Sequence, residues 1–376
     1  MTDANEPPGG PLVGLRVVDL ATVLAGPSAA RYLGDFGADV VKVERPDGDT
    51  WRNVGWKADD GASLWWKYTN RNKRTVALDL KVDADRDVLL RLLDDAHVIV
   101  ENFRPGTLER LGLGPDVLHA RNAGLVILRV TGFGQDGPYR NRPGFASIAE
   151  AMSGFAAVNG HADGPPLLPP IALTDEVTGL VGAFAVMAAV YAGVGQVIDV
   201  NLLDSIFQIM GPTIGAFRRE GYVQPRAGSA IPYTVPRGTY RCADGGWVAV
   251  STSADSVAAR VMKLLGVDGD ERFASFAARV QNREVIEGLL GEWIAARTRG
   301  EVVAAFEEAE AAIAPVYDIA DVDGDPHVMA RAMVTELDGI PMQGLVARFS
   351  ATPGRLRWAG RAIDADGAAI RADGWG

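Results

Sequence analysis

The sequence predicts an α/β protein that combines a large doubly wound, Rossmann-like domain with a smaller α+β domain. Its length of 376 residues exceeds what one hydrophobic core usually serves, since domains average about 150 residues. Strand-like and helix-like segments alternate through the first 205 residues, which is typical of parallel βαβ units. Beyond residue 220 this alternation ends in a stretch with several prolines, a hairpin pattern and further helices.

The large domain is predicted from six apolar runs and the helical patterns between them. The runs are short enough for buried strands and occupy residues 15–20, 38–44, 75–80, 97–101, 125–130 and 196–200. A helix is predicted to open at Gly26-Pro27, because proline in a first turn costs little. An amphipathic helix is predicted over 83–96. We place this domain at residues 1–220.

A long apolar segment at 177–195 has almost the length of a membrane span and contains no charged residue. It holds four glycines, and a strand pattern follows it without a basic flank. These features favour a buried core helix, so no membrane segment is predicted.

The smaller domain is predicted at residues 221–325. A hairpin is expected over 239–242 and 247–251, followed by helices at 256–265, 284–295 and 301–312. The tail, residues 326–376, is predicted to return to the large domain with strands at 345–349 and 355–358.

Composition excludes several classes of function. There are 37 Lys and Arg against 48 Asp and Glu, a net charge of −11, which argues against a nucleic-acid binder. The single cysteine, Cys242, cannot form an intramolecular disulfide, and the four histidines lack metal-binding spacing, so no metal is expected. The polar, acidic N-terminal residues resemble no targeting signal, which favours a cytoplasmic location.

A glycine-rich segment at 132–137 reads GFGQDG and matches the dinucleotide-binding fingerprint. That fingerprint requires a helix to begin in the loop, but Pro138 and Pro143 prevent one there. We therefore interpret the segment as a glycine-rich active-site loop and not as an NAD(P) site.

A basic run at 67–74 concentrates four cationic side chains in an acidic protein. It is either a solvated loop or a phosphate site, since guanidinium and ammonium groups bind phosphate well. Further arginines follow predicted strands, at the edge where doubly wound sheets bind ligands; they are Arg45, Arg104, Arg110, Arg140 and Arg142.

Asp175 lies directly before the long apolar helix. It could be an N-cap that accepts backbone N–H bonds, or a nucleophile kept ionised by the helix N-terminus. The residues alone do not separate the two. Glu150 and Glu176 are candidate acid/base groups, although their spacing equally fits structural roles. No GxSxG hydrolase motif is present.

Eight segments together resemble the family III CoA-transferases, which include formyl-CoA transferase and have α-methylacyl-CoA racemase as a relative. The matching segments keep the family's order over nearly the whole chain, at 17–27, 37–44, 70–81, 101–106, 131–138, 193–200, 240–247 and 325–331.

The resemblance implies a CoA-transferase that uses acyl-CoA and a carboxylic acid, works as an interlocked, ring-like homodimer, and has Asp175 as its nucleophile. Aspartyl mixed-anhydride and aspartyl-CoA thioester intermediates are implied as well. The residues implied to bind CoA are Arg45, Asn72, Lys73, Arg74, Asn102, Phe103, Arg104, Thr107 and Arg110. Those implied to line the acyl pocket are Leu24, Gly134, Gln135 and Phe145.

Two departures from the family's pattern narrow the expectation. The racemases have a histidine thirty residues before the aspartate, where this chain has Phe145, so one of two required bases is missing. Leu24 replaces an active-site glutamine of formyl-CoA transferase, which indicates a less polar acyl group. The alternatives are a racemase, or a non-catalytic CoA-binding subunit of a hetero-oligomer.

Overall fold

The computed structural model of the protein describes residues 9–252 and 254–376. The chain forms two compact units. The first comprises the chain up to residue 154 together with 169–211 and 326–376. The second comprises 155–168 and 212–325.

A six-stranded parallel sheet organises the first unit. The strands lie in the order β3-β2-β1-β4-β5-β6, the arrangement of a doubly wound Rossmann-like fold. All six predicted strands are confirmed, with bounds β1 Arg16–Asp19, β2 Asp39–Glu44, β3 Lys73–Ala77, β4 Val98–Glu101, β5 Val126–Thr131 and β6 Val197–Asn201. The strands are rich in buried apolar residues because helices cover both faces of a parallel sheet, although β2, β3 and β5 also contain the charged residues Lys42, Lys73, Arg74 and Arg129. Val17, Val40 and Ile127 are fully buried in this way.

Helices cover this sheet. They are numbered in chain order through both units. Those of the first unit are α1 Ala25–Asp35, α2 Leu64–Thr69, α3 Asp83–Asp94, α4 Thr107–Arg110, α5 Pro115–Arg121, α6 Ala146–Met152, α8 Leu173–Ala192, α9 Leu202–Gln208, α16 Pro326–Ala330 and α17 Gly367–Asp373. In α3 the apolar side chains at i, i+1, i+4 and i+5 are buried, as its amphipathic pattern predicts.

Helix α8 is the apolar helix of the sequence analysis. Its length and composition alone would suffice to cross a membrane. One face packs against α1 through Gly179 and Gly182, and Val186 is fully buried. The opposite face exposes Phe184 and Tyr191, at 76% and 94%. The prediction of a buried core helix therefore holds for one face of α8 only.

The predicted tail strands at 345–349 and 355–358 are wrong, because neither segment pairs as a strand. The tail instead forms an antiparallel hairpin of β10 Val334–Leu337 and β11 Ile340–Gln343. Asp338 and Gly339 make its turn, both at positive φ. Residues 355–358 belong to the first unit as an irregular segment, where the backbone N–H of Arg357 donates to Asn72 Oδ1.

The second unit is built on a three-stranded antiparallel sheet in the order β7-β8-β9. The predicted hairpin is confirmed as β7 Arg237–Arg241 and β8 Trp247–Ser251, and β9 Ile313–Pro315 pairs with β8. The helices are α7 Phe155–Val158, α10 Thr213–Glu220, α11 Asp255–Leu264, α12 Phe276–Gln281, α13 Arg283–Ala295, α14 Arg299–Glu308 and α15 Ile319–Gly324. Phe273, Leu290 and Phe306 are among the buried side chains of its core.

Candidate active site

A cleft of about 370 Å³ opens at the carboxyl edge of the parallel sheet, where the segments after β1, β2, β3 and β4 meet. Ligands of doubly wound folds bind at this edge. We call it the sheet-edge cleft. Its apolar lining comes from Leu20, Val43, Leu78, Leu80, Phe103 and Leu111, and its polar lining includes Thr22, Lys42, Glu44, Arg45, Asp49, Asp79 and Lys81.

Two cations of the sheet-edge cleft are accessible to an anion. Arg45 is exposed and forms only a surface pair with Asp47 at 3.3 Å. Lys81 is exposed, and its ammonium has no ion pair among the residues that the structure describes. Lys42 is different, because it is fully buried and lies 3.7 Å from both Asp19 and Asp49.

Lys81 was missed by the sequence analysis. The signal was present, because Lys81 directly follows the predicted strand 75–80. The carboxyl end of such a strand is where a ligand-binding side chain is expected.

The predicted phosphate ligands Asn72, Lys73 and Arg74 do not line the sheet-edge cleft. Lys73 and Arg74 are the first two residues of β3, and Asn72 directly precedes the strand. Lys73 is fully buried, and its Nζ donates to Asp19 Oδ2 at 2.8 Å and to a backbone carbonyl. Burial lowers the pKa of Lys73 to about 8 despite this carboxylate. Arg74 forms a two-point pair with Asp39. The charges of Lys73 and Arg74 are already neutralised by carboxylates, which disfavours both side chains as phosphate ligands.

Asn72 is likewise committed to the fold. It is fully buried, and its side-chain amide donates to the carbonyl of Arg355 at 2.9 Å. The side chain of Asn72 is therefore not accessible to a ligand. Its role is to join β3 to the tail of the chain.

The loop after β4 also carries predicted CoA ligands. Phe103 lines the sheet-edge cleft, whereas Arg104 and Arg110 are exposed beside it without lining it. Arg110 donates to the hydroxyl of Thr107 at 2.7 Å. Asn102 exchanges two hydrogen bonds with the backbone of Thr22, at 2.6 and 2.8 Å, so it fixes the loop after β1.

That loop between β1 and α1 is held in an unusual conformation. Val23 has φ of 69°, a region that β-branched residues rarely adopt. Its N–H donates to Asp49 Oδ2 at 3.3 Å, and Lys42 donates to the carbonyl of Ala21. Leu24, predicted in the acyl pocket, follows with only 1% of its surface exposed. Strained backbone of this kind clusters at functional sites.

The glycine-rich loop after β5 carries the other predicted pocket residues. Gly134 has φ of 91°, which favours glycine, and the N–H of Gln135 donates to Asp199 at 2.7 Å. The side-chain Nε2 of Gln135 is buried and has no partner among the described residues. Phe145, immediately before α6, is 65% exposed. No helix begins inside this loop, as its prolines predict.

Asp175 is the third residue of α8, whose N-terminus faces the same carboxyl edge because the helix runs antiparallel to the strands. The N-cap is Ala172 and no side chain caps the helix, so the N-cap interpretation of Asp175 is wrong. Within the described part of the chain, the Asp175 carboxyl receives no hydrogen bond from another side chain.

The residues on either side of Asp175 are fixed. The hydroxyl of Thr174 donates to the buried Glu150 at 2.8 Å. Glu176 accepts from α1 at three points: Ser28 Oγ, Arg31 Nη2 and Tyr32 OH, at 3.0, 2.9 and 2.7 Å. These bonds hold the first turn of α8 against α1 and α6.

The electrostatics around Asp175 favour its protonated form. Burial, then Glu150, then Glu176 raise the pKa of Asp175 to about 7. Arg31 does not offset this, because its guanidinium is shared between Glu176 and Asp35. A carboxyl poised near neutral pH at a ligand-binding edge is a candidate functional group.

Comparison with known proteins identifies the class. The family model described as CoA-transferase family III matches residues 12–366. A succinyl-CoA–D-citramalate CoA-transferase of Chloroflexus aurantiacus is 35% identical over 96% of this chain and 93% of that protein. The beta subunit of a succinyl-CoA–L-malate CoA-transferase from the same organism is 39% identical over 92% and 90%. The crystal structure of a CAIB/BAIF family protein from Brucella suis, 33% identical, superimposes with a TM-score of 0.86 and covers 97% of this chain and 99% of that one.

The chain therefore belongs to the family III CoA-transferases. It is an enzyme of that class and takes acyl-CoA as a substrate.

Proposed function

We propose that the protein moves CoA from an acyl-CoA donor to a carboxylic acid acceptor, with Asp175 as the covalent nucleophile. The observation that carries the proposal is the Asp175 carboxyl, largely buried in the first turn of α8 with no hydrogen-bonding side chain beside it among the described residues. A carboxylate is the one nucleophile type that stays activated as both an anhydride and a thioester.

The exchange proceeds in four balanced steps. Asp175 Oδ attacks the thioester carbon of the donor, and the C–S bond breaks to give an aspartyl mixed anhydride and CoA thiolate. The thiolate attacks the aspartyl carbonyl, which releases the donor acid as its carboxylate and leaves an aspartyl-CoA thioester. The acceptor carboxylate attacks this thioester and releases the thiolate again. The thiolate then attacks the acceptor's acyl carbon, which frees Asp175 and yields the new acyl-CoA.

Every step conserves one negative charge and none transfers a proton. Exclusion of water protects the anhydride, and the burial of Asp175 serves that purpose. Because only the ionised carboxyl attacks, exchange is expected to fall as the pH drops through about 7.

The sheet-edge cleft is proposed to take the nucleotide end of CoA. Its apolar surfaces, Phe103 among them, suit the faces of an adenine ring. Arg45 and Lys81 at its mouth suit phosphate groups. Its volume of about 370 Å³ is at the lower end of the range of small-molecule sites, as expected for part of a long cofactor.

A small dicarboxylic acid is the proposed substrate class. The two relatives described above are named for succinyl-CoA, citramalate and malate, all of which carry a second carboxylate. Arg140 and Arg142 lie exposed on the glycine-rich loop without an ion pair to any described residue, so they could bind such a group. The apolar Leu24 and Phe145 fit the methylene chain between the two carboxyl groups.

We further propose a cytoplasmic homodimer, interlocked as the resemblance implies. The exposed apolar face of α8, with Phe184 and Tyr191, supports a protein–protein interface on the first unit.

The test is exchange of CoA by the purified protein, with succinyl-CoA as donor and a panel of mono- and dicarboxylic acids as acceptors. Mass spectrometry after quenching should find a CoA adduct on the peptide that contains Asp175. Asp175→Asn should reduce exchange at least about a thousandfold and abolish the adduct. Asp268→Asn, an exposed aspartate of the second unit, is the matched control and should change neither.

A wild-type protein that exchanges no CoA and forms no adduct would overturn the proposal. Wash-in of deuterium at the α-carbon of a 2-methylacyl-CoA without an acceptor acid would favour the racemase instead. One relative is named as the beta subunit of its CoA-transferase. Activity that appears only when a second, different chain is added would therefore favour a role for this protein as a subunit.

A further inference from the structure

The loop between β1 and α1 comprises residues 20–24, and side chains from elsewhere in the first unit hold its backbone. Both backbone groups of Thr22 bond to Asn102: the N–H donates to Oδ1 at 2.8 Å, and the carbonyl accepts from Nδ2 at 2.6 Å. The next N–H, of Val23, donates to Asp49 Oδ2 at 3.3 Å. The conformation of the loop therefore depends on residues that follow β2 and β4.

Asp49 is itself held by the protein and is 5% exposed. Its Oδ1 accepts from the N–H of Trp51 at 2.9 Å, and Lys42 Nζ lies 3.7 Å from its Oδ2. The N–H of Asp49 donates to Glu44 Oε2 at 3.0 Å. An ionised carboxylate only accepts hydrogen bonds, and here both oxygens accept from backbone N–H groups. Asp49 therefore connects the segment after β2 to the loop after β1.

Val23 is the residue of the loop that needs this support. Its φ of 69° is a genuine outlier for a β-branched side chain, whereas glycine would adopt it without strain. Such strain persists only where the surrounding structure determines the backbone, and it clusters at sites that depend on pre-organisation. The bond to Asp49 is made by the strained residue itself.

The loop leads from the sheet-edge cleft toward the nucleophile. Thr22 and Asp49 both line the cleft. After the loop, α1 begins at Ala25, whose carbonyl lies 3.1 Å from the position that a Cβ on Gly179 would occupy. Gly179 is one turn after Asp175 in α8. A cofactor with its nucleotide end in the cleft therefore has to pass the loop to bring its thioester to Asp175.

We propose that Asp49 is a positioning residue for CoA exchange, which sets the loop through the Val23 N–H so that the thioester of a cleft-bound acyl-CoA meets Asp175. The inference rests on the proposed function. Asp49 touches no reacting atom and acts through the backbone of Val23. Alignment of this kind affects the rate of the chemical step more than the affinity for the cofactor.

Two donors separate this role from a purely structural one. Succinyl-CoA carries the nucleotide end of the cofactor, whereas succinylpantetheine keeps the thioester and lacks that end. Asp49→Ala should lower kcat/KM for succinyl-CoA about a hundredfold, because a small misplacement of the thioester slows attack strongly. The loss with succinylpantetheine should stay within about fivefold, because this donor is not anchored and can follow Asp175. Unfolded protein lowers both rates equally, so the ratio of the two losses does not depend on the folded fraction.

The loss with succinyl-CoA should lie in kcat. The Kd of CoA, measured by calorimetry, should stay within about threefold of wild type, because Arg45 and Lys81 are unchanged. Asp59→Ala, at an exposed position in the segment before α2, is the matched control and should change none of these quantities.

Equal losses with the two donors would overturn the inference, because Asp49 would then serve only folding or the nucleophile. A weaker Kd for CoA with unchanged kcat would also overturn it, because Asp49 would then only form a wall of the sheet-edge cleft. A wild type that exchanges neither donor would overturn the proposed function, and this inference with it.

Discussion

Lys73 and Lys81 are eight residues apart in sequence, but their ammonium groups have opposite environments. Lys73 starts β3 and reaches the buried carboxylate of Asp19, in a region where Lys42 and Asp49 are also buried. Lys81 follows the same strand at its other end and remains exposed at the sheet-edge cleft. A buried, paired charge contributes to the fold, whereas an exposed, unpaired charge is available to a ligand.

Substitution should separate these two roles. Lys81→Ala should raise KM for acyl-CoA about tenfold with little change in kcat. The reason is that loss of a phosphate contact weakens the binding of acyl-CoA but leaves the chemical step unchanged. Lys73→Met should lower the free energy of unfolding by about 3 kcal/mol, because it leaves a buried carboxylate less well neutralised. Steady-state kinetics and chemical denaturation measure the two effects. Lys263→Ala, exposed on α11, is the control for both. An unchanged KM in Lys81→Ala would exclude this cleft as the CoA site.

How far the site could be predicted follows from these same residues. A run of cations in the sequence indicates only net charge. It does not indicate that Lys73 and Arg74 meet Asp19 and Asp39, because those pairs form between strands that are far apart in sequence. The exposure of Lys81 at the sheet-edge cleft could be predicted, because Lys81 directly follows a predicted strand. Asn102 was not, since its bonds to Thr22 depend on the order of strands in the sheet.

At the scale of elements, the close approach of α1 and α8 determines where Asp175 lies. Gly179 and Gly182 make that approach possible, because a Cβ at Gly179 would come within 2.8 Å of Ser28 Cβ and 3.1 Å of the Ala25 carbonyl. Gly179 is one turn after Asp175, so the spacing of the helices there sets the distance of the nucleophile from the loop between β1 and α1. Glu176 reinforces the same contact through its three bonds to α1.

Gly179→Ala should therefore reduce both stability and exchange. The added methyl group must displace backbone as well as a side chain, at a cost of about 1–3 kcal/mol. It should also lower kcat about tenfold or more by moving Asp175. Gly288→Ala, in the exposed middle of α13 with no atom within 4 Å of the new Cβ, should instead stabilise by about 0.5–1 kcal/mol. Calorimetry on both variants checks this. Equal changes in stability for Gly179→Ala and Gly288→Ala would show that helix propensity, and not packing against α1, determines the effect of the substitution at Gly179.

Helices and strands were predicted correctly where a local sequence pattern determines the secondary structure. Apolar runs between helical patterns located all six parallel strands, because burial on both faces requires such runs. The tail hairpin was missed although Asp338-Gly339 between apolar residues is a strong turn signal. The errors at 345–349 and 355–358 have a different cause. Neither segment joins a strand ladder, and residues 355–358 instead bond to residues 72 and 73 through side chains.

At the scale of the whole molecule, the first unit exposes several large apolar side chains on the packed helices α8 and α9. Side chains of the helices α8 and α9 are exposed together with the segments that follow them, and they include Leu180, Phe184, Tyr191, Val194, Phe207 and Ile209. Monomeric proteins rarely expose a contiguous apolar patch of more than a few hundred Å². A second copy of the chain would cover such a surface, which is the arrangement proposed above.

Sedimentation equilibrium or light scattering should then give a particle mass of twice 39.9 kDa, about 80 kDa. A charge at the centre of the surface should oppose association, because burying an unpaired carboxylate is costly. Tyr191→Glu, at a side chain 94% exposed in the single chain, should thus lower the mass toward that of one chain and reduce exchange. Val285→Glu, at an exposed apolar position on α13, should change neither. A wild type that sediments as a monomer with full activity would contradict the dimer, because the apolar face of α8 would then need no partner for catalysis.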